Sequence, residues 1–249
     1  MEHFFDTAGV IEEGVGFSLF GPCHLLWLVA FVLIAILVSA TYRASDSKRR
    51  KRMRLLIALL LIADEIFKQV VLIWKGLFNL SYLPLHLCSI NIFVIALHAV
   101  RPSRFLSKFL YLVCLPAALA ALLFPSWTAL PFANFMHLHS FTVHILLAVY
   151  PIMLTAAGEV QARAWDLPGC IALILALAFP VWLFNLRFGT NFMFLMWADK
   201  GNPLYWFEQN FGSHLIGFPV IAAAVFLILL LPGAFWRRYR VRHPVPRHG

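Results

Sequence analysis

Residues 23–54 read CHLLWLVAFVLIAILVSATYRASDSKRRKRMR. The first part, 23–42, holds no Asp, Glu, Lys or Arg. As a helix it spans about 30 Å at 1.5 Å per residue, the thickness of a bilayer's hydrocarbon core. The second part holds Arg43, Lys48, Arg49, Arg50, Lys51, Arg52 and Arg54. An apolar run that ends in a basic cluster reads as a membrane span followed by a cytoplasmic loop.

The rest of the chain repeats this pattern. Of its 249 residues 62% are hydrophobic and 12% charged, against about a quarter charged in soluble domains. Alternating ten-residue strand patterns are absent, which argues against a β-barrel. The sequence predicts an all-α polytopic membrane protein, one integral domain over 1–249. Its seven transmembrane helices are expected near 23–42, 55–75, 82–100, 106–125, 137–157, 168–187 and 213–235. Glu2, Asp6, Glu12 and Glu13 precede the first run, where a cleavable signal would be basic.

Charge sets the orientation. The 43–54 run, Arg101, Arg104, Lys108, Arg163, Arg237, Arg238, Arg240, Arg242 and Arg247 all fall on one side of the alternation. Only Lys75, Arg187 and Lys200 fall on the other, and Lys68 lies within the second span. The positive-inside rule then puts the N-terminus outside and the C-terminus in the cytoplasm of a cell (inner) membrane. The net charge of +9 is therefore topogenic, and no nucleic-acid partner is expected. The basic 43–54 loop is read as touching anionic headgroups.

Given this orientation, ionisable and polar residues gather at one depth. Span 2 carries Asp64, Glu65, Lys68 and Gln69; span 3 carries His86, Cys88, Ser89 and Asn91; span 5 carries His137, His139, Ser140, Thr142 and His144. Such residues are costly in hydrocarbon and by default mark function. Their convergence predicts a polar cavity near the outer leaflet. Glu65 with Lys68 (i, i+3), Asp64 with Lys68 and Glu65 with Gln69 (both i, i+4) are spaced to pair on one helix. His137, Ser140 and His144 share a helical face, and so do Cys88 and Asn91. On a helix that includes both, His86 lies about 200° round from Cys88, so the partner of Cys88 is expected from another helix. The segment 188–212, with Asn191, is rich in Phe, Trp and Tyr and reads as an interfacial anchor or a rim over the cavity.

A cysteine beside a histidine is the minimum for covalent acyl transfer, and a thiol in apolar surroundings needs such a neighbour to react. The competing reading makes Cys88 a small packing residue, as for Cys23, Cys114 and Cys170. None of the four cysteines has CxxC spacing, so neither a disulfide framework nor a zinc ribbon is expected. His137 and His144 are two helical turns apart and no compact histidine motif occurs, so no metal or cofactor is expected.

VGFSLFGPCHL (15–25), PLHLCSI (84–90), FMHLHSFTVHILL (135–147) and GTNFMFL (189–195) occur in this order. Over about residues 10–235 the chain resembles the YwaF-like bacterial integral membrane proteins. That family is similar to the eukaryotic multi-pass acyltransferases of ether lysophospholipids. More distantly it is similar to the androgen-induced membrane hydrolases. The resemblance implies a multi-pass lipid acyltransferase acting on phospholipid or lysophospholipid within the bilayer. It implies Cys88 as nucleophile and His144 as base, with His139 the second choice, and His86 stands where the family carries glutamine. Around them His86, Ser89, Asn91, Glu65, Lys68, Gln69, His137 and Asn191 are the expected substrate-binding residues. Ser89 or Asn91 is the candidate oxyanion donor. The alternatives are a transporter or ligand-binding protein without enzymatic activity, and a hydrolase using the same pair.

Overall fold

The computed structural model describes residues 3–12, 14–199 and 202–228. Within them the chain is helical and contains no strand. The helices are α1 (Pro22–Ala44), α2 (Ser47–Trp74), α3 (Leu87–Val100), α4 (Arg104–Leu123), α5 (Phe135–Ala156), α6 (Leu167–Phe188), the short α7 (Pro203–Phe211) and α8 (His214–Ile228).

Among the described residues four helices are long and apolar enough to cross a membrane: α1, α4, α5 and α6 with its leading turn. The other three expected spans differ for separate reasons. Helix α2 has 28 residues but is interrupted by Asp64, Glu65 and Lys68. Helix α3 has 14 residues, about 21 Å of rise. The expected span 213–235 is described only to residue 228, and its end and the basic tail lie outside the described residues. The architecture is thus that of an all-α membrane protein.

Burial separates a central helix from its lipid-facing neighbours. Helix α5 packs against α1, α2, α3 and α4 and buries residues all round, Phe141, Leu147, Val149 and Tyr150 being fully enclosed. Helix α1 buries only His24, Ala35, Ser39 and Tyr42 and turns Leu26, Val29, Leu33, Ile36 and Leu37 outward. In water that face would cost about 25 cal/mol per Å². Facing acyl chains, it costs nothing. The surface grooves are apolar as well, one along α1 at Leu25, Val29 and Leu33, another between α6 and Leu195.

Local chemistry fixes the ends that matter. Asn134 caps α5, accepting from Met136 N and His137 N. The amide of the same side chain donates to the carbonyls of His3 and Asp6 at 2.7 and 2.8 Å. Pro84 keeps the preceding backbone extended, so α3 starts at Leu87 with His86 as its N-cap. In α4 a π turn at Leu110–Cys114 runs into Pro116, which has no N–H to continue the ladder.

Candidate functional site

Cys88 is the second residue of α3. This differs from the sequence reading, which began the span at 82 and placed Cys88 inside a helix. His86 has extended φ/ψ (−66°, 151°), so the helical phase assumed between His86 and Cys88 does not apply. The first α3 hydrogen bond runs from Ile90 N to His86 O, and no side chain caps the end. The N–H groups of Leu87, Cys88 and Ser89 therefore have no acceptor within the helix, at the end where partial positive charge gathers. One turn on, Asn91 is 1% exposed, and neither its amide nitrogen nor its oxygen has a partner. Side chains on a helix lean toward its N-terminus, so Asn91 inclines over the turn that carries Cys88.

His144 is half-buried on α5. Its Nδ1 lies 2.6 Å from the carbonyl of Ser140. A carbonyl only accepts, so Nδ1 bears the proton and Nε2 keeps its lone pair. The ring stacks on Trp127 at 5.1 Å between centroids and 17° between planes. His86 holds the opposite tautomer. Its Nδ1 accepts from Met193 N at 3.3 Å, which leaves the proton on Nε2. His139 and His86 are electrostatic neighbours of His144, and Lys68 is one of His86.

His139 is engaged differently. Nδ1 is 3.0 Å from Asp64 Oδ2 and Nε2 is 3.8 Å from Glu65 Oε2. The Asp64 contact has ion-pair distance without hydrogen-bond alignment, and both atoms lack a hydrogen-bond partner. Glu65 also meets Lys68 Nζ at 2.7 Å and accepts from Gln69 Nε2 at 2.7 Å. Gln69 donates in addition to the Tyr82 carbonyl. The structure thus joins Asp64, Glu65, Lys68, Gln69 and His139 into one buried network across α2 and α5.

Other expected residues stand apart from that network. His137 accepts from Trp27 Nε1 at 2.9 Å and donates from Nδ1 to the Leu130 carbonyl at 3.2 Å. Both its nitrogens are thus taken, one tying α1 to α5 and the other holding the loop before α5. Asn191 builds a turn, accepting from Met196 N and Trp197 N and donating to Trp197 O. Its neighbours Met193 and Phe194 have left-handed φ of 58° and 55°. Cys88 packs on the main core, half-buried, and no hydrogen bond joins it to His139 or His144 among the described residues. Neither described groove is lined by Cys88, His139 or His144.

Residues 19–230 match the TMEM164 family. The chain belongs to the TMEM164 family. No curated protein and no solved structure matches it. The TMEM164 match takes in all of α1 to α7, and with them Cys88, His139, His144 and the acids of α2.

Two features were not found by sequence reasoning. One is Trp127, a loop aromatic that stacks on His144. The other is a polar cluster at the opposite end of the bundle. There Arg54 and Tyr42 meet at 2.6 Å, and Tyr42 donates to Glu159 at 3.0 Å. Arg50 pairs with Glu159 at 3.1 Å. Close by, Tyr150 and His98 are 2.9 Å apart, as are His98 and Ser107. The signal was a tyrosine at the end of an apolar run, 12 residues before an arginine otherwise read as topogenic.

Proposed function

We propose that this chain is a membrane-embedded lipid acyltransferase that carries the acyl group on Cys88. The observation that carries the reading is the tautomer of His144, whose free Nε2 is the acceptor a thiol requires. Both nitrogens of His139 face carboxylates, so neither is open to a thiol as His144 Nε2 is.

In the proposed reaction His144 Nε2 takes the proton of Cys88 Sγ–H, and the thiolate attacks the carbonyl carbon of a phospholipid acyl ester. The tetrahedral oxyanion faces the Asn91 amide and the first-turn N–H groups of α3. Collapse breaks the ester C–O bond, and the proton on His144 goes to the departing lysolipid oxygen. The hydroxyl of a second lysolipid then attacks the thioester, giving its proton to His144. Cys88 leaves as thiolate and is reprotonated. With water as acceptor the same steps give a hydrolase.

The reading includes seven spans, with the N-terminus outside and the C-terminus cytoplasmic in the cell membrane. The charge alternation supports that topology. The resemblance to ether-lipid acyltransferases, with which the TMEM164 match agrees loosely, supports a phospholipid or lysophospholipid substrate.

A second reading, a carrier or ligand-binding protein, is favoured by the buried Asp64–His139–Glu65–Lys68 network, since such chains serve proton relays in transporters. The deciding experiment incubates purified protein with a clickable acyl donor and looks for hydroxylamine-sensitive labelling. Labelling that disappears in Cys88→Ala supports acyl transfer; equal labelling of variant and wild type overturns it. Uptake into proteoliposomes that survives Cys88→Ala and fails in Glu65→Gln would establish the carrier instead. Product analysis separates transacylated lipid from free acid.

A further inference from the structure

Trp127 presents two surfaces, and the fold uses only one. Its ring face is packed: stacked on His144 at 5.1 Å and met edge-on by Phe141 at 5.2 Å. Its edge is not, because Nε1 is buried and has no hydrogen-bond partner. An indole N–H is only a donor, and leaving one unpaired in the interior costs about 1–3 kcal/mol. Trp27 avoids this by donating to His137 at 2.9 Å.

The loop that holds Trp127 is fixed from two sides. Phe17 N donates to Thr128 O at 2.8 Å, and Leu130 N donates to Trp127 O at 3.1 Å. Gly16 approaches so closely that a Cβ there would collide with the carbonyl oxygen of Thr128 and the backbone of Ala129. The VGFSLFGPCHL stretch thus serves as a clamp on the Trp127 loop. An aromatic held by a glycine clamp, a core phenylalanine and a histidine stack is a preorganised group. A preorganised donor with nothing to donate to calls for an acceptor that arrives from outside.

We propose that Trp127 is a catalytic residue of the site, its Nε1–H donating to the acyl-ester carbonyl oxygen of a bound lipid while its ring face lies on His144. This rests on the acyl-transfer reading and names a donor for it from the loop before α5. In that reading Asn91 and the first turn of α3 supply the remaining donors. The ligand class follows from the donor: a carbonyl or oxyanion oxygen, delivered within a stacked ring's width of the histidine that moves the proton.

The test compares Trp127→Phe, which keeps an aromatic face and removes the N–H, with wild type and Cys88→Ala. All are labelled with the clickable acyl donor in detergent micelles, and thermal unfolding is recorded alongside. The expected result is a fall of order 10²-fold in the maximal labelling rate of Trp127→Phe, the size typical for loss of one oxyanion donor. Its unfolding temperature should stay within a few degrees of wild type. Replacing Trp127 by benzothienylalanine, which swaps the N–H for sulfur at nearly constant shape, should give the same loss and excludes a packing defect. Cys88-dependent labelling that proceeds at the wild-type rate in both Trp127 variants overturns the proposal while leaving the acyl-transfer reading intact. Labelling that persists in Cys88→Ala overturns that reading itself.

Discussion

His139 Nδ1 on α5 lies 3.0 Å from Asp64 Oδ2 on α2, with 10% and 20% of the two side chains exposed. The contact ties the central helix to the one long helix that carries charge at mid-length. Breaking a buried pair by removing one partner leaves an uncompensated charge, a loss on the order of 3 kcal/mol. Asp64→Asn and His139→Gln should each lower the unfolding temperature of the purified protein. Their combination should cost clearly less than the sum of the two. Strict additivity in that double-mutant cycle would show the pair to be uncoupled.

The two span-5 histidines should separate functionally. His144→Gln removes the free Nε2 acceptor, and loss of a general base costs on the order of 10²- to 10⁴-fold. His139→Gln leaves His144 in place and should reduce the rate of Cys88 acylation by less than tenfold. Comparing initial labelling rates checks the order. A larger loss for His139→Gln would transfer the base role to it.

The reach of sequence reasoning is uneven here for a physical reason. Apolar run length and the side on which Arg and Lys fall are one-dimensional properties, so the membrane class is legible in 23–54 alone. Pairs on a single helix are nearly so: Glu65 meets Lys68 and Gln69 as i+3 and i+4 spacing predicts. The partner of Asp64 is not, because His139 comes from another helix. Nor is the true start of α3, where Pro84 and the extended His86 move Cys88 from the outer half of a span begun at 82 to the first turn. His137 shares a face with His144 by periodicity, yet Trp27 and Leu130 close both its nitrogens. Trp127 was invisible because its position depends on the close approach of Gly16, a relation across more than a hundred residues.

Gly16→Ala tests that relation directly. The added methyl group must push the Thr128–Ala129 backbone away, since a carbonyl oxygen cannot rotate aside as a flexible side chain can. Overpacking of this kind costs about 1–3 kcal/mol. The displaced loop carries Trp127 with it, so the near-ultraviolet circular dichroism of the tryptophans should change. Cys88 acylation should slow as well. An unchanged spectrum at lowered stability would mean that the loop adapts without moving Trp127.

The far end of the bundle offers a test free of any assumption about function. Ser107 Oγ donates its single hydrogen to Ser103 O at 2.9 Å, so toward His98 it can only accept. His98 therefore carries its proton on Nε2, and its Nδ1 accepts from the hydroxyl of Tyr150, 2.9 Å away. His98 is 1% exposed and Tyr150 0%. Removing either partner leaves a buried polar atom without a bond, whereas removing both leaves neither orphaned. Tyr150→Phe and His98→Phe should each destabilise the protein by about 1–3 kcal/mol. The double variant should recover part of that loss, read as an unfolding temperature above the additive value. A double variant at or below additivity would mean that the tyrosine and histidine contribute through packing volume, not through the hydrogen bond between them.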